Sequence, residues 1–270
     1  GFAGKRFFPS TLTFDDPFTN DELDLLYRRL DNVKGSGVPT DEQGLEVNYA
    51  KSITPSIQLS LGSAYDKFKF TRATPAEGMD NLAVGIKGLG YVDPEAESVW
   101  SLGLDVDVAR TGSDRVGSDY SIFSPTVMYG KGFGNAAADL LRPLQFAGAA
   151  GLDLPARGSV PRTFNLDLAF EYNLAYMTAF VKDSGLPGPL RFAIPLVEVP
   201  LAVCLDEGCR GDVTGTVNPG IVFLNTYGQV AVELPVPING ATGNSVGVLV
   251  QLHLYIDDLF PRSLGKPIFD

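Results

Sequence analysis

The stretch FNLDLAFEYNLAY, residues Phe164–Tyr176, sorts its side chains into two classes with a strict period of two. Every even position is apolar or aromatic, and the odd positions from 165 to 173 carry asparagine, acid or alanine. A β-strand is the regular structure that sends alternate residues to opposite faces. These 13 residues exceed the usual length of a soluble strand. A tilted strand of about 9–11 residues crosses a bilayer, so the stretch predicts a membrane-spanning strand.

The composition of the whole chain agrees with a fold made of strands and turns. Its 270 residues include 30 glycines and 19 prolines but only 3 methionines and 2 cysteines, and a β-barrel of this size is commonly one domain. The net charge is -11, so we expect no nucleic-acid partner, because no basic surface is available for the phosphates. The chain contains no run of about 18 apolar residues, so we predict no transmembrane helix.

The same alternation recurs in twelve segments of the chain. They are centred near Leu25, Val47, Leu59, Val84, Leu104, Val127, Leu152, Leu168, Val199, Ile221, Val232 and Leu252. An open sheet edge is not tolerated in hydrocarbon, where unpaired backbone groups cost several kcal/mol each, so the edges must join. We therefore predict an all-β fold, a transmembrane antiparallel β-barrel of about 12 strands with short periplasmic helices or turns.

Parity alone does not say which face lies inside, and a soluble sandwich or lipocalin-type barrel shows the same alternation. Three features favour lipid contact for the apolar face: many segments near ten residues, an even strand count, and aromatic residues near strand ends. These aromatic residues are Tyr49, Trp100, Tyr129, Phe164 and Tyr176.

The barrel is expected to span residues 22–260, with an N-terminal periplasmic or plug segment at 1–21 and a C-terminal tail at 261–270. Residues 1–21 show no clear period, which is why they are separated from the strands. Short helical turns are predicted at 136–144 and 177–189. The chain opens without a charged-then-apolar signal segment, as a processed secretory protein or a cytosolic protein would.

The two cysteines, Cys204 and Cys209, flank a turn sequence and predict a disulfide in an oxidising compartment. Two free thiols are the alternative, and two cysteines without a nearby histidine are too few ligands for zinc. Strand parity places this loop outside the cell together with many of the chain's cations. We expect four of them to face lipopolysaccharide phosphates, with ordinary solvated loop charge as the alternative. These are Arg110, Arg115, Arg157 and Arg210.

If the apolar face meets lipid, the polar face surrounds a lumen rich in acids. The predicted lumen-lining and selectivity residues are Glu46, Asp105, Asp107, Asp153, Asp167, Glu171, Glu198, Glu233 and His253. So one-sided a set attracts cations and repels anions. The sequence thus predicts an outer-membrane channel for passive diffusion of small cations or small neutral solutes. Solvated or paired acids are favoured over a metal site, and neither a metal nor a cofactor is expected.

Two other functions remain open at this point. A structural or partner-binding barrel would be filled by its own side chains and by residues 1–21, since twelve strands enclose little free width. An outer-membrane lipid hydrolase would need a nucleophile and a base within hydrogen-bond reach. The chain has one histidine, His253, and no serine lies beside it in the pattern, so we expect no enzymatic activity.

Five stretches carry a resemblance to a known family. They are RFFPSTLTFDDPF (6–18), LEVNYAKSITPSIQLSLG (45–62), GTVNPGIVF (215–223), ELPVPIN (233–239) and VLVQLHLYIDDLFP (248–261). The chain resembles mostly uncharacterised proteobacterial outer-membrane proteins, similar to the β-barrel transporters of the phenol meta-cleavage degradation pathway. The resemblance implies a secreted barrel in a bacterial outer membrane and passage of small organic or aromatic molecules. It carries over no ligand-binding residue. Outer-membrane barrels commonly end on an aromatic residue, whereas here Phe260 is followed by residues 261–270.

Overall fold

Twelve long antiparallel strands dominate the computed structural model, which describes residues 1–34, 40–71, 73–183 and 185–269. In chain order these strands are β1 (Glu22–Val33), β2 (Thr40–Thr54), β3 (Ile57–Phe70), β4 (Leu82–Asp93), β5 (Ser98–Val108), β6 (Ile122–Gly132), β7 (Leu144–Pro155), β8 (Thr163–Tyr172), β9 (Ala193–Cys204), β10 (Val213–Asn225), β11 (Gly228–Glu233) and β12 (Val248–Tyr255).

Each strand pairs with its neighbour in the chain, and the last pairs with the first. The closing ladder between β12 and β1 runs from Val248 opposite Arg29 to Tyr255 opposite Glu22. All twelve long strands thus belong to one closed antiparallel barrel, and the predicted fold class is confirmed. None of the helices in the described part of the chain has the length and apolar character needed to cross a membrane.

The apolar side chains of the strands point outward. On the paired strands β5 and β6, Leu102 lies opposite Val127, and both are about half exposed, whereas Ser101 on the inward face is fully buried. Near one end of the barrel, Trp100 stands opposite both Tyr91 and Tyr129, and all three rings are exposed on the outside. This is the aromatic girdle and apolar belt of an outer-membrane barrel.

The organising stretch is a strand only as far as Tyr172. Asn173 ends it, because its side-chain oxygen accepts a hydrogen bond from the N–H of Tyr176 at 2.9 Å and caps a short helix, Leu174–Tyr176. Tyr176 is therefore buried inside the mouth, and its predicted place in the girdle is wrong. Further short helices follow at Met177–Val181 and Gly188–Phe192, whereas 136–144 contains turns and no helix.

The last two strands are shorter than the alternation of the sequence suggests. Strand β11 ends at Glu233, and Val236–Pro237 pairs separately with Thr216 and Val217 of β10. Strand β12 ends at Tyr255 and is followed by a helical turn at Ile256–Leu259. The N–H of Phe269 donates to the carbonyl of Ile53 at 2.8 Å, so the C-terminal tail lies along the end of β2.

Gly1 and Phe269 lie at the end of the barrel that carries the two-residue turns 55–56 and 226–227, and such short turns mark the periplasmic end of an outer-membrane barrel. The opposite, extracellular end carries the loop 205–212, where Cys204 and Cys209 form the predicted disulfide with a Cα–Cα distance of 5.7 Å. The four arginines expected to face lipopolysaccharide lie in loops at this end. Arg157 is already paired with Asp119 there.

Candidate functional site: the lumen and the N-terminal plug

Residues 1–21 lie inside the periplasmic half of the barrel, and we call this segment the plug. It starts as a hairpin in which Phe2–Ala3 pairs with Arg6–Phe7. Phe8 follows, fully buried against Phe18 and against Val99 of β5. The chain then crosses the lumen before it enters β1. Residues that the sequence shows without any period are thus ordered by the wall around them.

Four glutamines on the inner wall hold the main chain of the plug. They are fully buried and come from four different strands: Gln58 (β3), Gln145 (β7), Gln229 (β11) and Gln251 (β12). Gln229 both accepts from the N–H of Ser10 at 3.3 Å and donates to its carbonyl at 2.6 Å. A side-chain amide offers a donor and an acceptor, as a peptide group does, so these glutamines replace the strand partners that the plug lacks.

The other three glutamines make single contacts with the plug backbone. Gln145 donates to the carbonyl of Phe7 at 3.1 Å, Gln251 donates to the carbonyl of Thr11 at 3.0 Å, and Gln58 accepts from the N–H of Asn20 at 3.0 Å. The alternation of the sequence does not reveal the role of any of the four, because a solvated lumen wall would also contain glutamine at inward positions.

Glu198 of β9 grips the middle of the plug. Its two carboxylate oxygens accept from the N–H groups of Leu12 and Thr13 at 2.9 and 3.0 Å, and the Thr13 hydroxyl donates to the same carboxylate. The side chain of Leu12 packs beside these bonds against apolar inward residues. These are Ile194, Leu196, Val222, Ala231 and Leu249. The carboxylate of Glu198 and this apolar cluster together fix the position of Leu12 and Thr13.

A fully buried ion pair joins the start of the plug to the periplasmic turn between β4 and β5. Arg6 donates from Nε and Nη2 to Oε2 of Glu97 at 3.0 and 2.9 Å. Its guanidinium lies 3.6 Å from the ring centre of Tyr176, whose hydroxyl donates to the other oxygen of Glu97 at 2.9 Å. The N–H of Gly134 also donates to Glu97. Every oxygen of this carboxylate therefore has a donor.

Lys87 of β4 holds the far end of the plug. Its ammonium donates to Oδ2 of Asp15 at 2.7 Å and to the carbonyl of Asp16 at 2.9 Å. Carboxylate oxygens of Asp15, Asp16 and Glu22 lie within 4.8 Å of one another, a spacing that could hold a cation. Lys87 already supplies positive charge to this group, which explains the cluster without a metal ion.

Beyond the plug, the extracellular half of the lumen is a cavity of about 390 Å³, which we call the vestibule. Residues Ser10 to Asp15 of the plug form its floor. Six carboxylate side chains lie in its wall: Glu22, Asp24, Glu46, Asp80, Asp105 and Asp107. The wall also contains Arg28, whose guanidinium is bound to Asp66 at 2.7 Å. The vestibule is thus lined mainly by acids.

The other predicted lumen acids have different surroundings. Asp167 lines a second internal cavity of about 150 Å³ beside Asp105. Asp153 accepts from Ser124 and Asn165, both at 2.7 Å. These contacts place both carboxylates inside the barrel but outside the wall of the vestibule.

Glu171 and Glu233 face inward at the depth of the plug, as Glu198 does, and none of the three lines the vestibule. Glu171 accepts from Gln145 at 2.7 Å, and Glu233 accepts from Asn218 at 3.2 Å. Within the described residues, one oxygen of Glu171 is buried without a hydrogen-bond partner, whereas the carboxyl of Glu233 lies against that of Glu198. These acids therefore belong to the wall around the plug.

His253 lines the vestibule between two carboxylates. Its Nε2 lies 3.1 Å from Oε2 of Glu22, and its Nδ1 lies 3.4 Å from Oδ1 of Asp24. No hydroxyl of a described residue hydrogen-bonds the ring. The arrangement is that of an ion-paired wall residue and lacks the serine–histidine contact of a hydrolase.

No family model and no curated protein matches the sequence. Solved structures do match the fold. An outer-membrane channel from Pseudomonas putida F1 superposes with a TM-score of 0.61 at 11% identity, covering 92% of this chain and 99% of that one. The β domain of the Bordetella autotransporter BrkA gives 0.52 at 12%, covering 87% and 99%. The KdgM porin gives 0.50 at 10%, covering 86% and 98%.

These likenesses establish the fold, that of a bacterial outer-membrane β-barrel. The matched structures include a channel, a porin and an autotransporter domain, so the fold by itself does not decide between functions.

Proposed function

We propose that the chain is an outer-membrane channel for passive diffusion of small solutes, entered through the acidic vestibule and closed on the periplasmic side by the plug. The observation that carries this proposal is the 390 Å³ cavity inside a closed barrel, lined by polar and acidic residues. A wall whose only task was to pack would be filled with side chains at this depth.

The charge of the vestibule supports a preference for cations over anions. Asp24, Glu46, Asp105 and Asp107 face the cavity, while Arg28 is committed to Asp66. Carboxylates in a narrow space with low-dielectric walls create a negative potential that raises the local concentration of cations. Small cations and small neutral polar solutes fit this lining, and passage of small organic or aromatic molecules is what the resemblance of the sequence implies.

The plug supports closure that is tight but reversible. Hydrogen bonds, ion pairs and apolar contacts hold it, and its four wall glutamines bind main-chain atoms. Such non-covalent contacts break and reform without any change in covalent bonds. The same fully buried contacts also favour a second candidate function, a permanently plugged structural or partner-binding barrel.

Current through single molecules in a planar bilayer tests the proposal. We expect ohmic openings with cation preference, and the double variant Asp105→Asn, Asp107→Asn should lower the cation-to-anion permeability ratio by about twofold to threefold. Glu207→Gln is the matched control, since Glu207 lies in an exposed extracellular loop. Silence of the wild type and of a variant with a loosened plug would favour the structural barrel. Unchanged selectivity in the double variant would contradict the acidic pathway.

We also propose that the extracellular arginines contact lipopolysaccharide phosphates by charge-assisted hydrogen bonds. Among the described ion pairs, Arg157–Asp119 is the one that engages any of the four. Arg110, Arg115 and Arg210 are thus left as the stronger candidates. Weaker binding of purified lipopolysaccharide after their joint replacement by glutamine would support this role, and undiminished binding would refute it.

A further inference from the structure

A second large pocket lies at the periplasmic mouth and shares no lining residue with the vestibule. Its volume is about 680 Å³, within the range of small-molecule sites. The plug hairpin forms one side, residues 173–180 and Phe192 form another, and inward residues at the ends of β10 and β12 form the third. We call it the mouth pocket.

Six aromatic rings give the mouth pocket its apolar character. They are Phe2, Phe7, Tyr176, Phe180, Phe192 and Tyr255. Phe7 contacts Phe2 at 5.0 Å and Tyr255 at 6.0 Å between ring centres, while Tyr176 and Phe180 pack at 5.1 Å. The rings of Phe2, Phe7 and Tyr255 therefore form one aromatic wall of the concave space, and those of Tyr176 and Phe180 form another.

The polar ends of the two tyrosines point away from this space. The hydroxyl of Tyr255 donates to Gln229 at 2.9 Å, and that of Tyr176 donates to Glu97. Both tyrosines thus offer ring carbons to an occupant. Phe2, Phe180 and Phe192 remain 64%, 48% and 55% exposed, so a bound apolar body would remove a large apolar area from water.

One cation stands at this pocket. The ammonium of Lys5 lies 5.4 Å from the ring centre of Phe180, and Lys5 forms no ion pair with a described residue. Asp258 is the one carboxylate in the lining, so the pocket has no net charge. Apolar contact would therefore provide most of the affinity, with Lys5 available to an anionic or oxygen-bearing end.

The position of the pocket favours a dissolved molecule over a membrane lipid. Leu224 of β10 and Tyr255 of β12 contribute from the inward face, whereas Phe223 and Leu252 on the same strands point outward. The bilayer touches the opposite side of this wall, and the pocket belongs to the mouth of the lumen.

We propose that the mouth pocket is a binding site for a small amphipathic molecule, with an apolar ring-sized body between the aromatic walls and an anionic or acceptor end at Lys5. This site goes beyond the channel proposed above, and binding to it does not require conduction. Because Phe2 and Phe7 belong to the plug, the ligand would contact the plug directly.

Fluorescence of 1-anilinonaphthalene-8-sulfonate tests the site, with the full chain in phosphatidylglycerol nanodiscs whose negative surface repels the dye. We expect saturable binding above the empty-disc background. Ala179→Trp should fill the pocket and weaken binding about tenfold or more. Ala138 is also exposed but lies in the periplasmic connection between β6 and β7, outside the pocket. Ala138→Trp should therefore leave dye binding unchanged.

Two further variants keep the test decisive if Ala179→Trp does not fold. Phe180→Ala removes one half-exposed wall ring and should weaken binding several-fold. Lys5→Ala should weaken the sulfonate dye more than the uncharged N-phenyl-1-naphthylamine. Heat-dependent mobility in gels reports whether each barrel is folded. The proposal would be overturned if the wild type showed no saturable binding. It would also be overturned if Ala179→Trp and Phe180→Ala were folded and bound the dye as tightly as the wild type.

Discussion

The two halves of the lumen share one inward polar pattern but use it differently. In the periplasmic half, inward side chains such as Gln229 and Glu198 are buried and bonded to the plug. In the extracellular half, Glu46, Asp105 and Asp107 face a cavity. The odd or even position of a residue in its strand therefore fixes its side of the wall, while what fills the barrel at that depth decides its role.

The largest effect is expected from Arg6→Ala, which tests whether the periplasmic half depends on the plug. Removing one partner of a fully buried ion pair costs about 3–5 kcal/mol, because the other charge stays buried without compensation. We expect a lower free energy of unfolding in denaturant titrations and longer openings in bilayers. Arg191→Ala, which removes an exposed pair with Asp183, is the matched control. Equal stability of the two variants would mean that the plug is not anchored at Glu97.

A smaller effect is expected from Glu198→Gln, at the boundary between the two halves of the lumen. An amide keeps one acceptor oxygen and puts an NH₂ group against the second plug N–H, so the local opening free energy should fall by about 1–3 kcal/mol. Hydrogen exchange of the amides of Leu12 and Thr13 measures this directly. Glu95→Gln, at an exposed periplasmic turn, should leave their protection unchanged. If the amides of Leu12 and Thr13 kept their full protection in Glu198→Gln, the carboxylate of Glu198 would not be what holds the plug.

The smallest effect concerns the rim of the extracellular half, where charges lie in water. The N–H and guanidinium of Arg162 donate to Asp206 and hold the pKa of its carboxyl below the ordinary value. Because the pKa is lowered, this contact stabilises the folded loop above about pH 4, and the stabilisation is lost as the pH falls through the lowered pKa.

Carbon-detected NMR titration can follow this carboxyl. Arg162→Ala should move the pKa of Asp206 upward, toward its ordinary value, while Arg157→Ala should instead raise the pKa of Asp119, which Arg157 lowers by the same kind of hydrogen bond. A shift of both carboxyls in either variant would show that the two loops are coupled.

The strands and their sides could be predicted because the environment acts on every second residue. Leu102 and Ser101 differ in exposure as alternation requires. Strand ends were less predictable, since a single local cap can override parity. Leu174 and Tyr176 continue the apolar pattern, yet the side chain of Asn173 starts a helix there.

The plug site was harder to predict for a different reason. Its contacts join residues far apart in the chain, as in Arg6 with Glu97 and Leu12 with Glu198. Most of the plug atoms held by the wall are main-chain atoms, which every residue has, so side-chain patterns do not reveal them. The lumen acids were predicted as one group, and the structure divides them by depth.

The glutamine grip has a consequence for variation in this protein. Because Gln229 and Gln251 bind peptide groups of Ser10 and Thr11, the wall tolerates other small side chains at these two positions, provided the path of the chain is kept and no proline removes the N–H of residue 10. Residues 10 and 11 are therefore the positions at which engineered side-chain changes should disturb the seating of the plug least.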